Sequence, residues 1–401
     1  MKIGIKIVMN QFRNQITNLY LFINFLFMKL IVFSAIAIIV LLSFKIERGD
    51  DDYETLAIGA KAPNFKLTGV DGKTYTLKSF SKSNVLVIIF TCNHCPTAQA
   101  YEERIKQLTK DYSPKGVSVV AISPNDPIAI RLDELGYTDL SDTFEEMKIR
   151  SKQKKYNFPY LYDGKTQSVA KAYGPVATPH VFIFDKERKL RYQGRFDDVE
   201  KPTKTPNNFD TRNAINALLA NQQPTVQTTK VFGCSIKWAE KEKYQDKIKE
   251  DWAKEPVTVE MIDESAIKDL LKNSSDKLRL INVWATWCGP CVTEFSEFIT
   301  INRMYRGRDF EFINISADDP ANKEKVLKFL KSKEASSKNY LFSIDDKYKL
   351  IEAIDPKWQG ALPYTILVEP GGKIVYGKQG RINPAEMKKT IVENKLIGRY
   401  Y

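Results

Sequence analysis

The chain has 401 residues, which is too long for one ordinary core because a domain usually holds about 100–200 residues. Apolar residues make up 43% of it, which excludes a wholly disordered chain. Its net charge of +12 comes from lysines mixed with acidic residues along both halves, and no basic block indicates nucleic-acid binding. Five cysteines are too few for a disulfide-stapled scaffold.

The N-terminal part of the chain is strongly apolar. Residues Leu30 to Phe44 carry no charge, all charges before them are positive, and an acidic segment follows. This asymmetry predicts a cytoplasmic N-terminus and an exported bulk, on the periplasmic side of the inner membrane. We expect residues 1–54 to be a signal or anchor segment with an acidic linker. Cleaved signal, uncleaved anchor and buried core helix are the alternatives, and Met28 is a second plausible start.

Residues 55–222 are predicted to form an α/β domain. It opens with a hairpin, 65–77, whose turn contains Asp71-Gly72. A continuous apolar run, 85–90, predicts a strand buried on both faces, and two cysteines follow its end. The remaining predicted elements are a helix at 96–112, a strand at 117–123, a charged helical insertion at 141–155, a hairpin of 180–185 and 190–194, and a closing helix at 211–220.

Residues 223–257 are predicted as a linker that contains Cys234 and a charged helical stretch, 237–254. The pattern of the first domain then repeats in 258–401. Its predicted elements are a strand at 278–285, two cysteines, a helix to 305, a strand at 310–316, a helix at 322–332, a hairpin of 364–368 and 373–376, and a last helix at 384–394. The repeated order indicates one architecture used twice.

The second domain carries the segment Trp287-Cys288-Gly289-Pro290-Cys291 directly after its buried strand. A cysteine at a helix N-terminus is stabilised as a thiolate by the partial positive charge there. Cys291 follows one turn later on the same face, so it can resolve a mixed disulfide formed at Cys288. The segment therefore predicts a redox-active dithiol in which Cys288 attacks.

This segment resembles thioredoxin, for which Trp-Cys-Gly-Pro-Cys is highly specific. The resemblance implies two thioredoxin-like domains, each a central mixed sheet flanked by helices. It implies a cis-proline at Pro363, in a loop that faces the cysteines and binds the partner chain. Glu294 matches the acidic residue of membrane-anchored reducing thioredoxins of the cytochrome-c-maturation type. Such a carboxylate can take the proton of the resolving thiol, although a solvated helix residue is the alternative.

The first domain carries Cys92-Asn93-His94-Cys95-Pro96 at the corresponding place. Residues 58–200 resemble the broad redoxin group that joins peroxiredoxins to thioredoxins. Peroxiredoxins place a threonine three residues before a single peroxidatic cysteine, which a proline follows. Here Cys95-Pro96 fits, but Cys92 occupies the threonine position, and this departure favours dithiol exchange over peroxidase chemistry. The resemblance also places a cis-proline at Pro179.

The chain contains two histidines, His94 and His180. The first lies between the cysteines and the second follows the predicted cis-proline, so both are expected to converge on one site. An imidazolium beside Cys92 would lower its pKa and make this pair more oxidising than the Gly-Pro pair. Ordinary surface or core histidines are the alternative.

Cys234 lies in the segment Gly233-Cys234-Ser235-Ile236-Lys237-Trp238. Members of the redoxin group often end on such a segment. We consider a further redox or regulatory role for Cys234, against the alternative of an inert buried thiol.

Three hypotheses of function follow. The first is a two-site thiol–disulfide oxidoreductase that acts on protein thiols and disulfides, supplied by a membrane or soluble redox partner. The second is a peroxide-reducing first domain that the second domain re-reduces. The third is a first domain that only binds a partner or a metal. We expect no cofactor and no metal, because about two hundred residues separate the two cysteine pairs and zinc sites space theirs far more closely.

Overall fold

The computed structural model describes residues 53–201 and 203–398. The apolar segment 30–44 lies outside these residues. None of the helices within them is both long enough and apolar enough to cross a bilayer.

A seven-stranded mixed sheet forms the first domain, in the spatial order β2-β1-β5-β4-β3-β7-β8. The strands up to the Cys234 segment are β1 (Lys66–Gly69), β2 (Thr74–Thr76), β3 (Val85–Phe90), β4 (Val117–Ser123), β5 (Tyr160–Tyr162), β6 (Ala177–Thr178), β7 (His180–Phe184), β8 (Leu190–Gly194) and β9 (Cys234–Ser235). The helices are α1 (Pro96–Tyr112), α2 (Phe144–Lys154), α3 (Ser168–Tyr173), α4 (Asp210–Leu219) and α5 (Glu242–Ala253).

Strand β3 lies near the centre of this sheet, and all six of its residues are buried. A strand covered on both faces needs apolar residues throughout, and all six residues of β3 are apolar. Successive side chains of a strand point to opposite faces, so alternate residues of β3 enter two separate cores. It pairs parallel with β4 and antiparallel with β7. The predicted mixed sheet is confirmed.

A second sheet has six strands in the order β10-β13-β12-β11-β14-β15. Its strands are β10 (Glu260–Ile262), β11 (Leu278–Trp284), β12 (Phe310–Ser316), β13 (Lys338–Phe342), β14 (Tyr364–Val368) and β15 (Ile374–Gln379). Its helices are α6 (Glu264–Lys272), α7 (Gly289–Tyr305), α8 (Lys323–Ser332), α9 (Lys347–Ile354) and α10 (Pro384–Glu393).

In both sheets, a fully buried strand leads into a long helix. Strand β3 precedes α1, and β11 precedes α7, with a short loop between strand and helix. A proline lies in the first turn of each helix, where its missing backbone donor costs nothing. This junction is where the fold places both cysteine pairs.

Part of the segment predicted as a linker packs onto the first domain. Strand β9 pairs with β6, and the side chains of Ile236 and Trp238 are buried in the core beneath the first sheet. The charged helix α5 begins only at Glu242, later than predicted. The proposed bounds 55–222, 223–257 and 258–401 stay predictions.

The two domains share an apolar contact. Ile130 and Leu135, from the loop after β4, are buried in a core built mainly from the second domain. The Tyr305 hydroxyl donates a hydrogen bond to the Thr138 carbonyl at 2.9 Å. Residues 53–398 therefore pack as one body.

Candidate active sites

The second-domain pair lies at the start of α7. Cys288 is the N-cap residue of the helix and Cys291 lies in its first turn, and the two are joined by a disulfide. The Cys291 amide donates to the Cys288 sulfur at 3.3 Å. Cys288 is 6% exposed and Cys291 is 0% exposed. The side chain of Trp287 is exposed, and it offers an apolar contact surface to a partner.

An aspartate supports the loop before this pair. The Thr286 amide donates to Asp318 Oδ2 at 2.8 Å, and Asp318 is buried just after β12. Sequence reasoning missed Asp318. Its position directly after the strand that neighbours β11 was the available indication, since parallel strands end at the same edge.

The Leu362–Pro363 peptide bond is cis, which confirms the prediction. Strand β14 starts at the next residue, and Tyr364 is the register partner of Val283, near the end of β11. The Leu362 side chain packs against the cluster that contains both cysteines. The proline loop therefore lies beside the disulfide.

Glu294 is buried on α7, one turn after Cys291. Its Oε2 accepts a hydrogen bond from the Ile382 amide at 2.9 Å, while no residue within 53–201 or 203–398 bonds to Oε1. Burial raises the pKa of Glu294 to about 7, although the Ile382 amide and the charges of Arg381 and Lys378 oppose the shift. The solvated-residue alternative is excluded, and the carboxyl can exchange a proton near neutral pH.

The first-domain pair lies between β3 and α1. Here Cys95 is the N-cap residue, and its sulfur accepts from the Ala98 amide at 3.5 Å. Thr178 contacts both sulfurs: its hydroxyl lies 3.2 Å from Cys92 Sγ, and its carbonyl accepts from Cys95 Sγ at 3.4 Å. The Thr178–Pro179 bond is cis, as predicted. Sequence reasoning named this loop for its proline and missed the threonine.

Cys95 is the thiol of this site whose pKa is lowered. Burial alone would raise its pKa. Hydrogen bonds from the thiols of Cys234 and Cys92, the charge of His94 and the Ala98 amide together hold the pKa well below its usual value. For Cys92, burial, the contact with Cys95 and the nearby charge of Asp142 raise the pKa well above its usual value. The expectation that His94 lowers the pKa of Cys92 is therefore wrong, because the effect falls on Cys95.

His94 is held by a buried carboxylate. Its Nδ1 lies 2.7 Å from Asp142 Oδ2, and the backbone amides of Asn93 and His94 donate to Asp142 Oδ1. Burial alone would lower the pKa of His94, but the Asp142 charge raises it overall. Asp142 precedes α2, in the charged segment that we took for an insertion, and nothing in its local pattern indicated this contact.

His180 does not face the cysteines, contrary to expectation. The Val176 amide donates to its Nδ1 at 3.3 Å, and its Nε2 donates to Gln193 Oε1 at 2.8 Å. Burial lowers its pKa to about 4, against a small opposing effect of Gln193. His180 is a neutral, hydrogen-bonded core residue, because its ring is buried against Phe182 and bonds to Gln193 of β8.

One group of metal-ligand type occurs in the described ranges. Cys92, His94 and Asp142 place such atoms within 4.8 Å of one another. Both Asp142 oxygens already accept hydrogen bonds, two from backbone amides and one from Asn125 Nδ2 at 2.7 Å, besides the contact with His94. The arrangement fits a network that positions His94 beside the thiols.

Comparisons with known proteins match both domains. The AhpC/TSA family model matches residues 58–193, and the Redoxin model matches residues 242–396. The thiol-disulfide oxidoreductase ResA of Bacillus thuringiensis subsp. konkukian is 29% identical over 139 residues, which cover 34% of this chain and 69% of that protein.

Two solved structures are also similar. A hypothetical protein of Sinorhizobium meliloti 1021 is 35% identical, with 47% of this chain and 98% of that chain covered at a TM-score of 0.42. An uncharacterized conserved protein of Geobacillus kaustophilus is 38% identical, with 47% and 95% covered at a TM-score of 0.41.

The family matches and the two sheets agree on one architecture. Each match includes one cysteine pair, at the junction between a buried strand and a helix. The chain belongs to the thioredoxin-like thiol–disulfide oxidoreductases and carries two redoxin-type domains in tandem.

Proposed function

We propose that this protein exchanges disulfides with exported protein partners through two separate dithiol sites. The observation that carries the proposal is the Cys288–Cys291 pair at the start of α7, beside the cis-Pro363 loop. A helix N-terminus stabilises the thiolate, and the exposed Trp287 gives a partner chain an apolar surface to contact.

Disulfide exchange at the second-domain site takes two steps. The Cys288 thiolate attacks a partner disulfide, one partner sulfur leaves as a thiolate, and a mixed disulfide remains. Cys291 loses its proton to Glu294 and attacks the Cys288 sulfur, which releases the second partner sulfur. The partner gains two electrons, and the Cys288–Cys291 disulfide forms. The reverse sequence oxidises a partner dithiol.

The first site supports the same chemistry with a different environment. Cys95 has a stabilised thiolate, and Cys92 lies three residues before it, with Thr178 touching both sulfurs. Cys92 and Cys95 therefore form a second dithiol pair, and His94, whose pKa is raised by the Asp142 charge, favours the reduced thiolate when it is protonated. Export is proposed from the uncharged segment 30–44 and its charge asymmetry.

Mixed-disulfide trapping tests the proposal. The full chain with Cys92→Ser, Cys95→Ser and Cys234→Ser, to which Cys291→Ser or Cys288→Ser is added, is reduced and mixed with a disulfide-containing protein such as insulin. Covalent adducts are resolved without reductant. We expect an adduct at Cys288, and none in Cys288→Ser, because only Cys288 can attack. Equal adduct in both variants, or none in either, contradicts the proposed role of this pair.

A peroxide-reducing first domain is the second candidate. It is favoured by one observation: Cys95, which Pro96 follows, is a low-pKa thiol within a match to the AhpC/TSA family. Peroxide consumption by the full chain, supplied with a dithiol reductant, separates the two candidates. Consumption that Cys95→Ser abolishes supports peroxide reduction, whereas consumption no faster than that of the variant supports disulfide exchange alone.

A further inference from the structure

The third cysteine of the first domain lies at the first site. Cys234 is in β9, which pairs antiparallel with β6, and its register partner is Thr178. Thr178 is the residue that touches the sulfurs of Cys92 and Cys95. The cluster formed by Cys92, Cys95 and Ala98 has the side chain of Cys234 packed against it. Thr178 and Cys234 are more than fifty positions apart in sequence, and their pairing places a third cysteine beside the Cys92–Cys95 pair.

The segment around Cys234 is fixed to the domain. Ile236 and Trp238 are buried in the core. The Lys237 amide donates to Asn125 Oδ1 at 2.9 Å, and the Lys237 carbonyl accepts from the Asp126 amide at 2.9 Å. The Cys234 segment is therefore held in place by its contacts with the folded first domain.

The three sulfurs differ in exposure. Cys92 is 3% exposed and Cys95 is 0% exposed, whereas Cys234 is only half-buried. A partner sulfur must reach the disulfide in line to exchange with it. Among the three cysteines, Cys234 is the residue that is most exposed to solvent.

The pKa values of the three thiols are also shifted in different directions. The Cys234 side chain packs against the cluster that contains Cys95, and this contact, with burial, raises the pKa of Cys234. The same contact helps to keep the pKa of Cys95 low. Cys95 is therefore the sulfur that both neighbours approach, and it is the better leaving group of a Cys95–Cys234 disulfide.

We propose that Cys234 is the exchange cysteine of the first site, which connects the buried Cys92–Cys95 pair to external protein dithiols. The inference rests on the proposed function, since it needs Cys92 and Cys95 to form a disulfide.

Reduction of the Cys92–Cys95 disulfide through Cys234, the proposed relay, takes two steps. The Cys234 thiolate attacks Cys95 of the Cys92–Cys95 disulfide, the Cys95–Cys234 bond forms, and Cys92 leaves as a thiolate that takes up the proton. An external dithiol then attacks Cys234, and Cys95 leaves as a stabilised thiolate. The second sulfur of that dithiol attacks its own mixed-disulfide sulfur and releases Cys234. The partner loses two electrons, and the site gains them.

The test uses the full chain with Cys288→Ser and Cys291→Ser, so that only the first site reacts. Each protein is oxidised with diamide, and disulfides are mapped by mass spectrometry. Adding Cys92→Ser should give a Cys95–Cys234 disulfide. Adding Cys234→Ser should leave the Cys92–Cys95 disulfide, and dithiothreitol should reduce it more slowly than in the parent by about tenfold.

The serine and alanine variants at 234 separate exchange from simple hydrogen bonding. Serine keeps a donor for the Cys95 thiolate, whereas alanine removes it, and neither can form a disulfide. Equally slow reduction in both variants supports the relay. A parent-like reduction rate in Cys234→Ser, or no Cys95–Cys234 bond in Cys92→Ser, overturns it. If Cys234→Ser forms no Cys92–Cys95 disulfide either, the proposed function of the first site fails instead.

Discussion

Glu294 illustrates how one buried side chain sets a pH dependence. Its folded pKa is raised to about 7, so its contribution to stability is fully present below its unfolded pKa of about 4.3 and is lost as pH rises through about 7. The ionised form is the one that accepts the proton of Cys291. Stability and exchange rate should therefore change in opposite directions across this interval.

Replacing Glu294 with glutamine tests this role. Glu294→Gln should lower the rate of disulfide exchange above pH 7 by about a hundredfold and flatten its rise with pH, because the proton acceptor is lost. Insulin reduction, followed against pH, measures the change. Glu297→Gln, at an exposed position of the same helix, is the control. An unchanged profile in Glu294→Gln contradicts proton transfer through this carboxyl.

Asp142 acts on the first site through His94. Asp142→Asn removes the charge that raises the pKa of the His94 imidazole, so the pKa of Cys95 should rise by about one unit or more. Thiolate absorbance against pH, in the chain that lacks the second cysteine pair, measures this shift. His94→Gln should give a rise in the same direction, and Asp133→Asn, at an exposed position, should give none. If the pKa of Cys95 is unchanged in both Asp142→Asn and His94→Gln, the proposed influence of Asp142 and His94 on Cys95 is contradicted.

At the scale of elements, the pairing of β6 with β9 depends on a glycine. Gly233 has φ +142°, and a Cβ there would lie 2.1 Å from the Thr178 carbonyl oxygen. Gly233→Ala should separate the two strands and cost about 1–3 kcal/mol of stability. Faster hydrogen exchange at the residue 234–235 amides measures the loss.

Gly59→Ala is the matched control for this pairing. Gly59 also has a positive φ, +87°, but a Cβ there would meet no atom within 4 Å. Gly59→Ala should therefore lower the stability of the fold without changing the hydrogen exchange of the β9 amides. Retained protection of β9 in Gly233→Ala would show that close approach does not set this pairing.

The elements predictable from sequence are those with a strong local pattern. Strand β3 is continuously apolar, and β11 is apolar apart from Arg279 and Asn282. Helices α1 and α7 start beside a cysteine and a proline, so the bounds of these elements match the expectation closely. Short strands with no periodicity, such as β5, β9 and β10, were not predicted. Three residues are too few for an alternation to register.

The residues of the candidate sites also fall into those that a local sequence motif predicts and those that it does not. The cysteine pairs and the prolines 179 and 363 follow local motifs, and the structure brings each pair together with its proline loop. The contacts of Thr178, Asp142 and Cys234 join segments far apart in sequence, and only the fold creates them. His180 was misplaced because strand alternation, which decides its direction, was not applied to it.

At the scale of the whole molecule, the two domains share a core. Leu135 of the first domain is buried against the second, so Leu135→Ala should destabilise the second domain by about 2–5 kcal/mol. Hydrogen exchange of β11 peptides in the full chain measures this. Ile215→Ala makes a comparable cavity within the first domain alone. Equal protection of β11 in both variants contradicts the shared core.

We propose that the chain has two redox-active dithiols that differ in reduction potential. Each is titrated against glutathione in the full chain whose other cysteine pair is replaced by serine. Because Cys95 has a stabilised thiolate, the Cys92–Cys95 site should be the more oxidising, by some tens of millivolts, since about 30 mV corresponds to roughly 1.4 kcal/mol. Two reversible two-electron transitions in that order are the predicted result. A single transition, equal potentials or a more reducing first site would contradict the account.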